Sequence, residues 1–570
     1  MADLGTAHDV LSASALRSWV QHATELLTLA RPVIDQANVF PVADADTGTN
    51  LCLTLGQGRA SVDALATGAG IDEVLDALAE GALLGARGNS GVILSEYLRG
   101  FAAGARGARS LSAAAVVVAA LSDAARCAHA AVGDPCQGTI LSAAAGASEA
   151  AQAALADGAD LARVVQLARD GAFDALRRSA DDLDVLRAAG VLDAGAYGLV
   201  LILDALARAL CGDVSAVHGT IVPMTVLTTL SVDPTATRDG LVSATCAHEP
   251  GAHDRLDGEF EVMYVVEHST LDPDDGECGI ARVAGQLREQ LQEVGSSVAV
   301  VGGATRPVTG GPGSGARGDD ERSHGLWQVH VHTDRPLEAL RVGRPWTCRQ
   351  IVVRSLEQQV FRAADEREAC AVPARTGLVA CTTSPALVTE LARAGAVVVL
   401  RAASPVAASD VLRAAEETGA QEVFLLPADA ATGEAAADWV SHDGGAPHDA
   451  HVQVLASTSD LHVVAAVACW AALAPGSDPG EVVDALRATL ASVRVVTVPD
   501  GAGGAVADAL DRLLGSGHEP ATVLTVLVDD LVPEEVVLDI ERAAARLSPG
   551  TEVVTLASGR PSGAVVLGAE

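Results

Sequence analysis

Residues 38–50 of this chain spell NVFPVADADTGTN and run directly into a helical pattern that begins at Leu51. Two carboxylates, Asp44 and Asp46, stand one residue apart, and Mg²⁺ prefers such oxygen ligands, with phosphate and water completing its coordination shell. The TGTN that follows opens a helix, whose free amides and partial positive charge favour phosphate. The segment therefore predicts a metal–nucleotide site, and an aspartate-rich turn that only caps the helix is the alternative.

A second glycine-rich segment lies between two amphipathic patterns at residues 85–91, with the sequence GARGNSG. Its glycines and Ser90 stand at a predicted helix start, and Arg87 can pair with phosphate through two hydrogen bonds. The glycine spacing differs from that of a GxSxG nucleophile elbow. We interpret the segment as an anion-binding loop, with a tight helix–helix turn as the alternative.

Two shorter motifs stand at other predicted helix starts. Gly138 and Thr139 precede one helical pattern, and Asp193 lies in the sequence LDAGAYG (192–198), which opens another. Each motif alone is typical of helix capping. Four helix starts of this kind within about 210 residues favour one shared binding site.

Charge and composition exclude several classes of function. The 570 residues include 74 acidic and 38 basic side chains, which gives a net charge of −36, and none of the basic ones is lysine. So acidic a chain disfavours nucleic acid and anionic lipid as main partners. The missing lysine excludes a Schiff-base enzyme and a Walker-type P-loop. If the chain handles ATP, metal ions, backbone amides and arginine must hold the phosphates.

The periodicity of apolar residues divides the chain into three predicted domains. Residues 1–212 show almost continuous helical patterns and predict an all-α domain. Residues 213–370 mix short strand patterns with helices and predict a small α+β middle domain. Residues 371–570 alternate apolar strands with helices, which indicates an α/β domain with a mainly parallel sheet.

Targeting and redox features are sparse. The longest apolar runs, Ala113–Leu121 and Val463–Ala474, are shorter than the roughly 20 residues that span a bilayer. The first ten residues contain neither the basic nor the apolar region of a secretion signal. The ten cysteines form no CxxC pair. We therefore expect a cytoplasmic protein without membrane insertion.

Together these motifs resemble the catalytic subunit of bacterial fatty acid kinase, whose N-terminal domain is similar to the nucleotide-binding L-subunit of dihydroxyacetone kinase. The resemblance rests mainly on residues 38–50 and on GALLGARGNSGVILSEYLRGF at 81–101. The sequences GTIL at 138–141, LDAGAYG at 192–198 and VHVHT at 329–333 follow in the expected order. The resemblance extends over essentially the whole chain.

The resemblance implies a helical barrel that binds ATP with two Mg²⁺ ions. It also implies a fatty-acid-binding carrier protein as partner, an acyl phosphate as product, and a homodimer. Asp44 and Asp46 would hold the metal, Asn38 is a weakly matched third ligand, and Arg87 would brace its loop or the transferring group. The residues that would line the nucleotide are Thr47, Gly48, Thr49, Asn50, Gly88, Asn89, Ser90, Gly91, Gly138, Thr139 and Asp193.

This chain departs from the family pattern in two places. Ala43 and Ala45 replace the proline and glycine that flank the first aspartate, and alanine adopts a left-handed conformation only at a cost. His330 and His332 alternate on a predicted strand and suit Zn²⁺, but Phe260 stands where zinc-binding relatives have a cysteine. Glu259, Glu261 or His268 could replace that cysteine. A structural histidine pair without zinc is the alternative.

Two other functions stay open at this stage. The chain could be a nucleotide-sensing scaffold that binds ATP without turnover. It could also be a kinase for another small hydroxyl or carboxylate substrate, as in dihydroxyacetone kinase.

Overall fold

The computed structural model describes residues 11–211, 258–268, 276–305, 324–360, 376–401, 406–442, 450–474, 476–499, 503–515 and 521–570. The composition of residues 309–320, TGGPGSGARGDD, predicts a flexible loop, and this segment lies outside the described residues. The chain forms two compact units. Unit 1 contains residues 1–258, 266–332 and 359–363, and unit 2 contains residues 259–265, 333–358 and 364–570.

Residues 11–211 of unit 1 form helices joined by short connections, as the periodicity predicts. Hydroxyl and carboxylate side chains cap several of these helices: Ser12 and Ser112 each accept a hydrogen bond from the backbone N–H three residues on. The helices are α1 (Ala13–Ala37), α2 (Thr47–Asp63), α3 (Ile71–Gly85), α4 (Gly88–Gly107), α5 (Ala113–Ala131), α6 (Ile140–Ala156), α7 (Leu161–Asp182), α8 (Asp184–Ala189) and α9 (Ala194–Cys211).

The long helices close into a ring around one apolar core. Each of α1 to α7 packs against the next, and α9 packs against both α7 and α1. Trp19 of α1 is buried beside Phe101 and donates from its indole nitrogen to the carbonyl of Ile202 in α9, at 3.0 Å. Because short connections make neighbouring helices antiparallel, α2, α4, α6 and α9 begin at the same end of the ring.

Two helices of this ring are long and apolar enough to cross a bilayer. They are α5 (Ala113–Ala131) and α9 (Ala194–Cys211), and 83% of the apolar window of α9 is buried inside the protein. Both helices contribute residues to the core of the ring. Packing in that core accounts for the apolar composition of α9.

Unit 1 continues beyond the ring with a helix and a β-hairpin. Helix α10 (Gly276–Gln292) precedes strands β2 (Ser296–Thr305) and β3 (His324–Thr333), which pair antiparallel with an irregularity between Ser296 and Ala299. Strand β2 packs on the ring, where the backbone N–H of Gly302 donates to the buried carboxylate of Glu96 in α4, at 3.1 Å. The hairpin therefore has a fixed position against α4.

Unit 2 contains two sheets. In the first, the strands follow the order β1-β4-β6-β5-β7-β8, with β5 parallel to β6 and β7, β7 parallel to β8, and β4 antiparallel to β6. Its strands are β1 (Phe260–His268, of which residues 260–265 belong to unit 2), β4 (Thr347–Ser355), β5 (Thr376–Thr382), β6 (Val397–Leu400), β7 (Glu422–Leu426) and β8 (His451–Val454).

The second sheet of unit 2 has four strands in the order β11-β10-β12-β9. Strands β10 and β11 are parallel, whereas β12 is antiparallel to both of its neighbours. The strands are β9 (Arg494–Val498), β10 (Val523–Val528), β11 (Glu552–Ala557) and β12 (Val565–Ala569).

Helices lie between these strands, as the alternation of patterns predicts for an α/β region. Helix α11 precedes β4, and the other helices lie between the parallel strands and around the four-stranded sheet. They are α11 (Pro336–Gly343), α12 (Val388–Arg393), α13 (Ala408–Glu417), α14 (Ala430–His442), α15 (Asp460–Ala472), α16 (Pro479–Ser492), α17 (Gly503–Leu514) and α18 (Glu534–Leu547). The fold class, helical first and mixed α/β afterwards, is confirmed.

One buried carboxylate connects several elements of unit 2. Asp460, at the start of α15, accepts hydrogen bonds at 2.7–2.8 Å from the hydroxyls of Thr382, the last residue of β5, and of Thr383 and Ser384, which follow it. Arg560 lies 3.6 Å from the same carboxylate and also donates to Asp529 at the end of β10. These contacts join the parallel sheet to the four-stranded sheet.

Candidate functional site

The N-terminus of α2 is held by a carboxylate from outside its own turn. Asp35 of α1 accepts two hydrogen bonds from Thr49, one from the backbone N–H and one from the hydroxyl, both at 2.9 Å. Gly48 lies so close to α1 that a Cβ there would stand 2.7 Å from the carbonyl oxygen of Arg31. Desolvation of Asp35, reinforced by the nearby charge of Asp46, raises its pKa to about 7.

The two aspartates of the loop stand just before α2, the helix whose start is capped by Asp35. Asp46 occupies the N-cap position, but its side chain makes no capping hydrogen bond. Asp44 accepts a hydrogen bond from the amide nitrogen of Asn38, at 2.6 Å. Both carboxylates are half-buried at the start of a helix. This donor set fits a hard divalent cation, with Asn38 orienting Asp44 and able to offer its own amide oxygen.

The residue between the two aspartates adopts a left-handed conformation. Ala45 has φ = +55°, a value that glycine reaches without strain and that costs alanine about 1–2 kcal/mol. Alanine in place of the family's glycine predicts a slightly different loop, but the structure keeps the left-handed turn despite the Cβ. The turn places the Asp44 and Asp46 side chains on either side of a strained residue.

Replacement of Ala45 by glycine is expected to raise the free energy of unfolding by about 0.5–1 kcal/mol. Relief of the left-handed strain exceeds the extra entropy that glycine gains in the unfolded chain. Urea denaturation followed by circular dichroism measures the change. Ala43→Gly is the matched control, because Ala43 lies outside the left-handed region. It should lower the stability, and a loss of stability in both variants would contradict the strain argument.

The loop before α4 is tightly built on α2. The Arg87 guanidinium is buried and donates to the carbonyl oxygens of Gly85, at 2.9 Å, and Ala86, at 3.4 Å. Its backbone N–H donates to the hydroxyl of Thr54 at 3.3 Å. Gly88 has φ = +51°, and a Cβ there would stand 2.3 Å from the amide of Asn50. Arg87 therefore braces this loop, and Asn50 packs against it.

These contacts bring the first two motifs together. The hydroxyl oxygens of Thr47, at the start of α2, and Ser90, in the first turn of α4, lie 3.3 Å apart. Two helix N-termini and the Asp44–Asp46 pair therefore share one end of the ring. Gly91 and Asn89 belong to the same first turn of α4. Such an arrangement can bind phosphate through backbone amides and hydroxyls beside a metal ion.

The other two motifs also meet each other. Asp193 accepts hydrogen bonds from the backbone N–H groups of Ala196, at 2.6 Å, and of Ile140, so one carboxylate joins the N-termini of α9 and α6. The hydroxyl of Thr139 accepts from the backbone N–H of Leu141 and caps α6. Gly138 has φ = +78° in the turn just before it. Asp193 is fully enclosed, and desolvation raises its pKa to about 7.

A known protein family matches most of the helical ring. Residues 41–208 match the DAK2 domain. This DAK2 region contains Asp44, Asp46, the Arg87 loop, Thr139 and Asp193, and the match confirms the resemblance at the level of the domain. Asp35 and Asn38 lie just before it.

Curated relatives match parts of the chain. Protein YloV of Bacillus subtilis is 28% identical over 410 residues, which cover 69% of this chain and 66% of YloV. The uncharacterised protein SERP0792 of Staphylococcus epidermidis is 34% identical over 181 residues, which are 32% of each chain. The alignments therefore span about two thirds of the first relative and about one third of the second.

Two solved structures each overlap with about a third of the chain. A DegV family protein, Cg2579 of Corynebacterium glutamicum, gives a TM-score of 0.27 at 15% identity and covers 34% of this chain and 96% of its own. The dihydroxyacetone kinase of C. freundii, in complex with AMP-PNP and Mg²⁺, gives a TM-score of 0.26 at 16% identity and covers 37% of this chain and 36% of its own.

His330 and His332, which lie outside the DAK2 region, form a buried pair. The Nε2 atoms of His330 and His332 lie 3.1 Å apart on β3. Tetrahedral Zn²⁺ with Zn–N bonds of about 2.0–2.1 Å places two ligand nitrogens about 3.3 Å apart, so the pair fits two ligand positions. In unit 2, Glu261 forms an ion pair with Arg354 and Glu259 with Arg393.

Asp193 should make the stability of the DAK2 region depend on pH. The pKa of its carboxyl is about 3.8 in the unfolded chain and about 7 in the folded one. Its stabilising contribution to the free energy of unfolding is therefore complete below pH 3.8 and is lost as the pH rises through 7. In Asp193→Asn this contribution is absent. From pH 5 to pH 8, the free energy of unfolding of wild type should therefore fall by on the order of 2 kcal/mol more than that of the variant.

Urea denaturation at pH 5 and pH 8 measures this relative gain. Asp160→Asn is the matched control, since Asp160 is an N-cap at an exposed position in the same unit. The free energy of unfolding of this control should change between pH 5 and pH 8 by the same amount as that of wild type. A parallel pH dependence of Asp193→Asn and wild type would contradict the assignment.

Sequence reasoning did not find all of the residues that build the site. Asp35 lies 14 positions before its partner Thr49, and nothing in the sequence pattern connects the two. Thr54 lies within α2, and nothing in the helical pattern indicates that it contacts another loop. In the structure its hydroxyl accepts a hydrogen bond from the backbone N–H of Arg87. Ser179, which accepts from the backbone N–H of Asp193 at 3.0 Å, was equally unmarked.

Proposed function

We propose that the chain is a Mg-ATP-dependent kinase. The observation that carries the proposal is the convergence of the α2 and α4 N-termini, with Thr47 and Ser90 in contact beside the Asp44–Asp46 pair. Phosphoryl transfer requires positioning and charge neutralisation rather than covalent catalysis, and these residues supply both. The DAK2 match of the same region supports the proposal.

In this proposal each group of the site has a defined task. Asp44 and Asp46 hold Mg²⁺, two ions by resemblance, and the bound metal neutralises charge on the phosphates. The amides and hydroxyls of Thr47–Asn50 and Gly88–Gly91 bind the phosphate oxygens. Arg87 keeps its loop in shape, and Asp193 with Gly138 and Thr139 positions the helix starts that border the nucleotide.

For the acceptor, we propose the carboxylate of a fatty acid presented by a separate binding protein, with an acyl phosphate as product. A carboxylate is already ionised at neutral pH, so no general base is needed. The resemblance of the motifs supports this choice of acceptor, together with a homodimer, a cytoplasmic location and the three-domain division at residues 212 and 370. Dihydroxyacetone or another small hydroxyl compound is the competing acceptor.

Zinc is a separate part of the proposal. His330 and His332 would supply two imidazole ligands, and a third ligand would complete a structural site. Equilibrium dialysis against Zn²⁺ followed by elemental analysis tests this part. Wild type should retain one zinc ion per chain, and His330→Ala should retain none. Equal zinc contents in the two proteins would refute it.

Transfer of the labelled γ-phosphate of ATP tests the kinase proposal. The full chain is incubated with Mg-ATP and a fatty acid, with and without a cognate fatty-acid-binding protein, and in parallel with dihydroxyacetone. Label in the acyl product only when the carrier is present supports the fatty acid kinase. Label in dihydroxyacetone phosphate supports the competing acceptor. Mg-ATP binding without transfer to any acceptor would refute the kinase and leave a nucleotide-sensing scaffold.

A further inference from the structure

Strand β3 carries a row of polar side chains on one face. Gln328 and His330 alternate along the strand, so both point to the same side, and their exposed fractions are 1% and 0%. In the antiparallel pairing with β2, Gln328 lies opposite Val301 and His330 lies opposite Ala299. Directly opposed residues share a face, so these four side chains lie on one side of the hairpin.

That face of the hairpin is directed toward the start of α4. Ala299 and Val301, with Leu326 packed beside them, form an apolar cluster with Ala86 and Val92. Ala86 and Val92 are the residues immediately before and after the Arg87–Gly91 segment. The contact between Gly302 and Glu96 fixes the hairpin one turn further along α4. Gln328 therefore lies on the hairpin face that packs on the residues at both ends of the Arg87–Gly91 segment.

The Gln328 amide has no hydrogen-bond partner among the described residues. Both Nε2 and Oε1 are buried, and neither finds one in that part of the chain. A buried polar group without a partner costs free energy comparable to a lost hydrogen bond, so buried amides almost always have partners. A buried amide on the hairpin face that packs near the start of α4, without a partner among the described residues, is suited to a ligand.

We propose that Gln328 binds the terminal phosphoryl group of a nucleoside triphosphate. Its Nε2–H donates to a terminal phosphate oxygen, while the amides of the α4 N-terminus and Ser90 bind the phosphates from the opposite side. The inference rests on the proposed function, since it needs a nucleotide at α4. It adds a specificity role for β3: the hairpin distinguishes a triphosphate from a diphosphate.

The test compares the binding of Mg-AMP-PNP and Mg-ADP to the full chain by titration calorimetry. Gln328→Leu should weaken the binding of Mg-AMP-PNP by about 10-fold or more, which is the effect of one hydrogen bond to a charged group. It should leave the affinity for Mg-ADP unchanged. Gln328→Glu, which replaces the donor by an acceptor of the same shape, should weaken the binding of Mg-AMP-PNP further. Val329→Ala is the control, since Val329 is buried on the opposite face of β3 and should leave the ratio of the two affinities unchanged.

The outcomes separate this inference from the kinase proposal. An unchanged affinity ratio in Gln328→Leu would overturn the inference, with a water-bound structural amide as the explanation, while phosphate transfer by wild type would still support the kinase. A lost preference for Mg-AMP-PNP supports the inference even if wild type transfers no phosphate. Failure of wild type to bind either nucleotide would overturn both.

Discussion

Conversion of Asp46 to asparagine is expected to lower Mg-ATP-dependent phosphoryl transfer by at least about 100-fold. Asparagine keeps the shape of the side chain but removes the negative charge that a divalent cation requires. Asp46 makes no side-chain capping hydrogen bond to α2, so the helix should survive the change. Asp44→Asn should have a similar effect and should also disturb the hydrogen bond from Asn38.

Initial transfer rates measured across a range of Mg²⁺ concentrations test this prediction. The Mg²⁺ needed for half-maximal rate should rise sharply in both variants, which a purely structural defect would not produce. Asp63→Asn is the matched control, because Asp63 lies at the other end of the same helix and is exposed in its ion pair with Arg59. If Asp46→Asn shows wild-type rates and wild-type Mg²⁺ dependence, this loop does not bind the catalytic metal.

The sequence predicts the helix starts of the site because they are local features. A carboxylate or hydroxyl beside glycine, followed by helical periodicity, needs only neighbouring residues to be recognised. Thr47, Gly88, Thr139 and Asp193 all stand at the starts of observed helices. Their convergence at one end of the ring follows from the short antiparallel connections, and the resemblance to known kinases anticipated it.

The contacts that hold the site together could not be predicted in this way. Asp35 caps a helix that begins 12 residues after it, and only the packing of α1 on α2 brings it there. Gln328 belongs to a predicted strand, but alternation on a strand does not tell which face meets α4. Burial of a polar face against a helix start is a tertiary property, and the apolar pattern of the sequence does not encode it.

Strands β4 and β12 show why the sheets of unit 2 were only partly predicted. The outer half of β4 contains Arg349 and Gln350 and is partly exposed, so its apolar pattern covers only a few residues. Strand β12 follows a proline–serine–glycine turn and has five residues, too few for a periodicity to stand out. Both strands pair antiparallel, and the four-stranded sheet around β12 separates from the parallel one. The predicted mainly parallel sheet is therefore two sheets.

Removal of the Asp460 carboxylate is expected to destabilise unit 2 by about 3–5 kcal/mol. Asp460→Ala would leave the hydroxyls of Thr382 and Ser384, both completely buried, without their acceptor. It would also remove one of the two carboxylates near Arg560, while Asp529 would keep its own hydrogen bonds to that arginine. The cost arises because buried donors lose their partner and water cannot replace it.

Urea denaturation and hydrogen exchange of the peptides after β5 measure this loss. The backbone N–H of Thr383, which donates to Asp460 at 3.1 Å, should exchange much faster in Asp460→Ala. Asp478→Ala is the matched control, since Asp478 is the exposed N-cap of α16 and its loss should cost only about 1 kcal/mol. Asp460→Asn keeps one acceptor oxygen, so its loss of stability should lie between those of Asp460→Ala and Asp478→Ala. Equal losses in Asp460→Ala and Asp478→Ala would mean that the two sheets of unit 2 are held together by apolar packing rather than by this carboxylate.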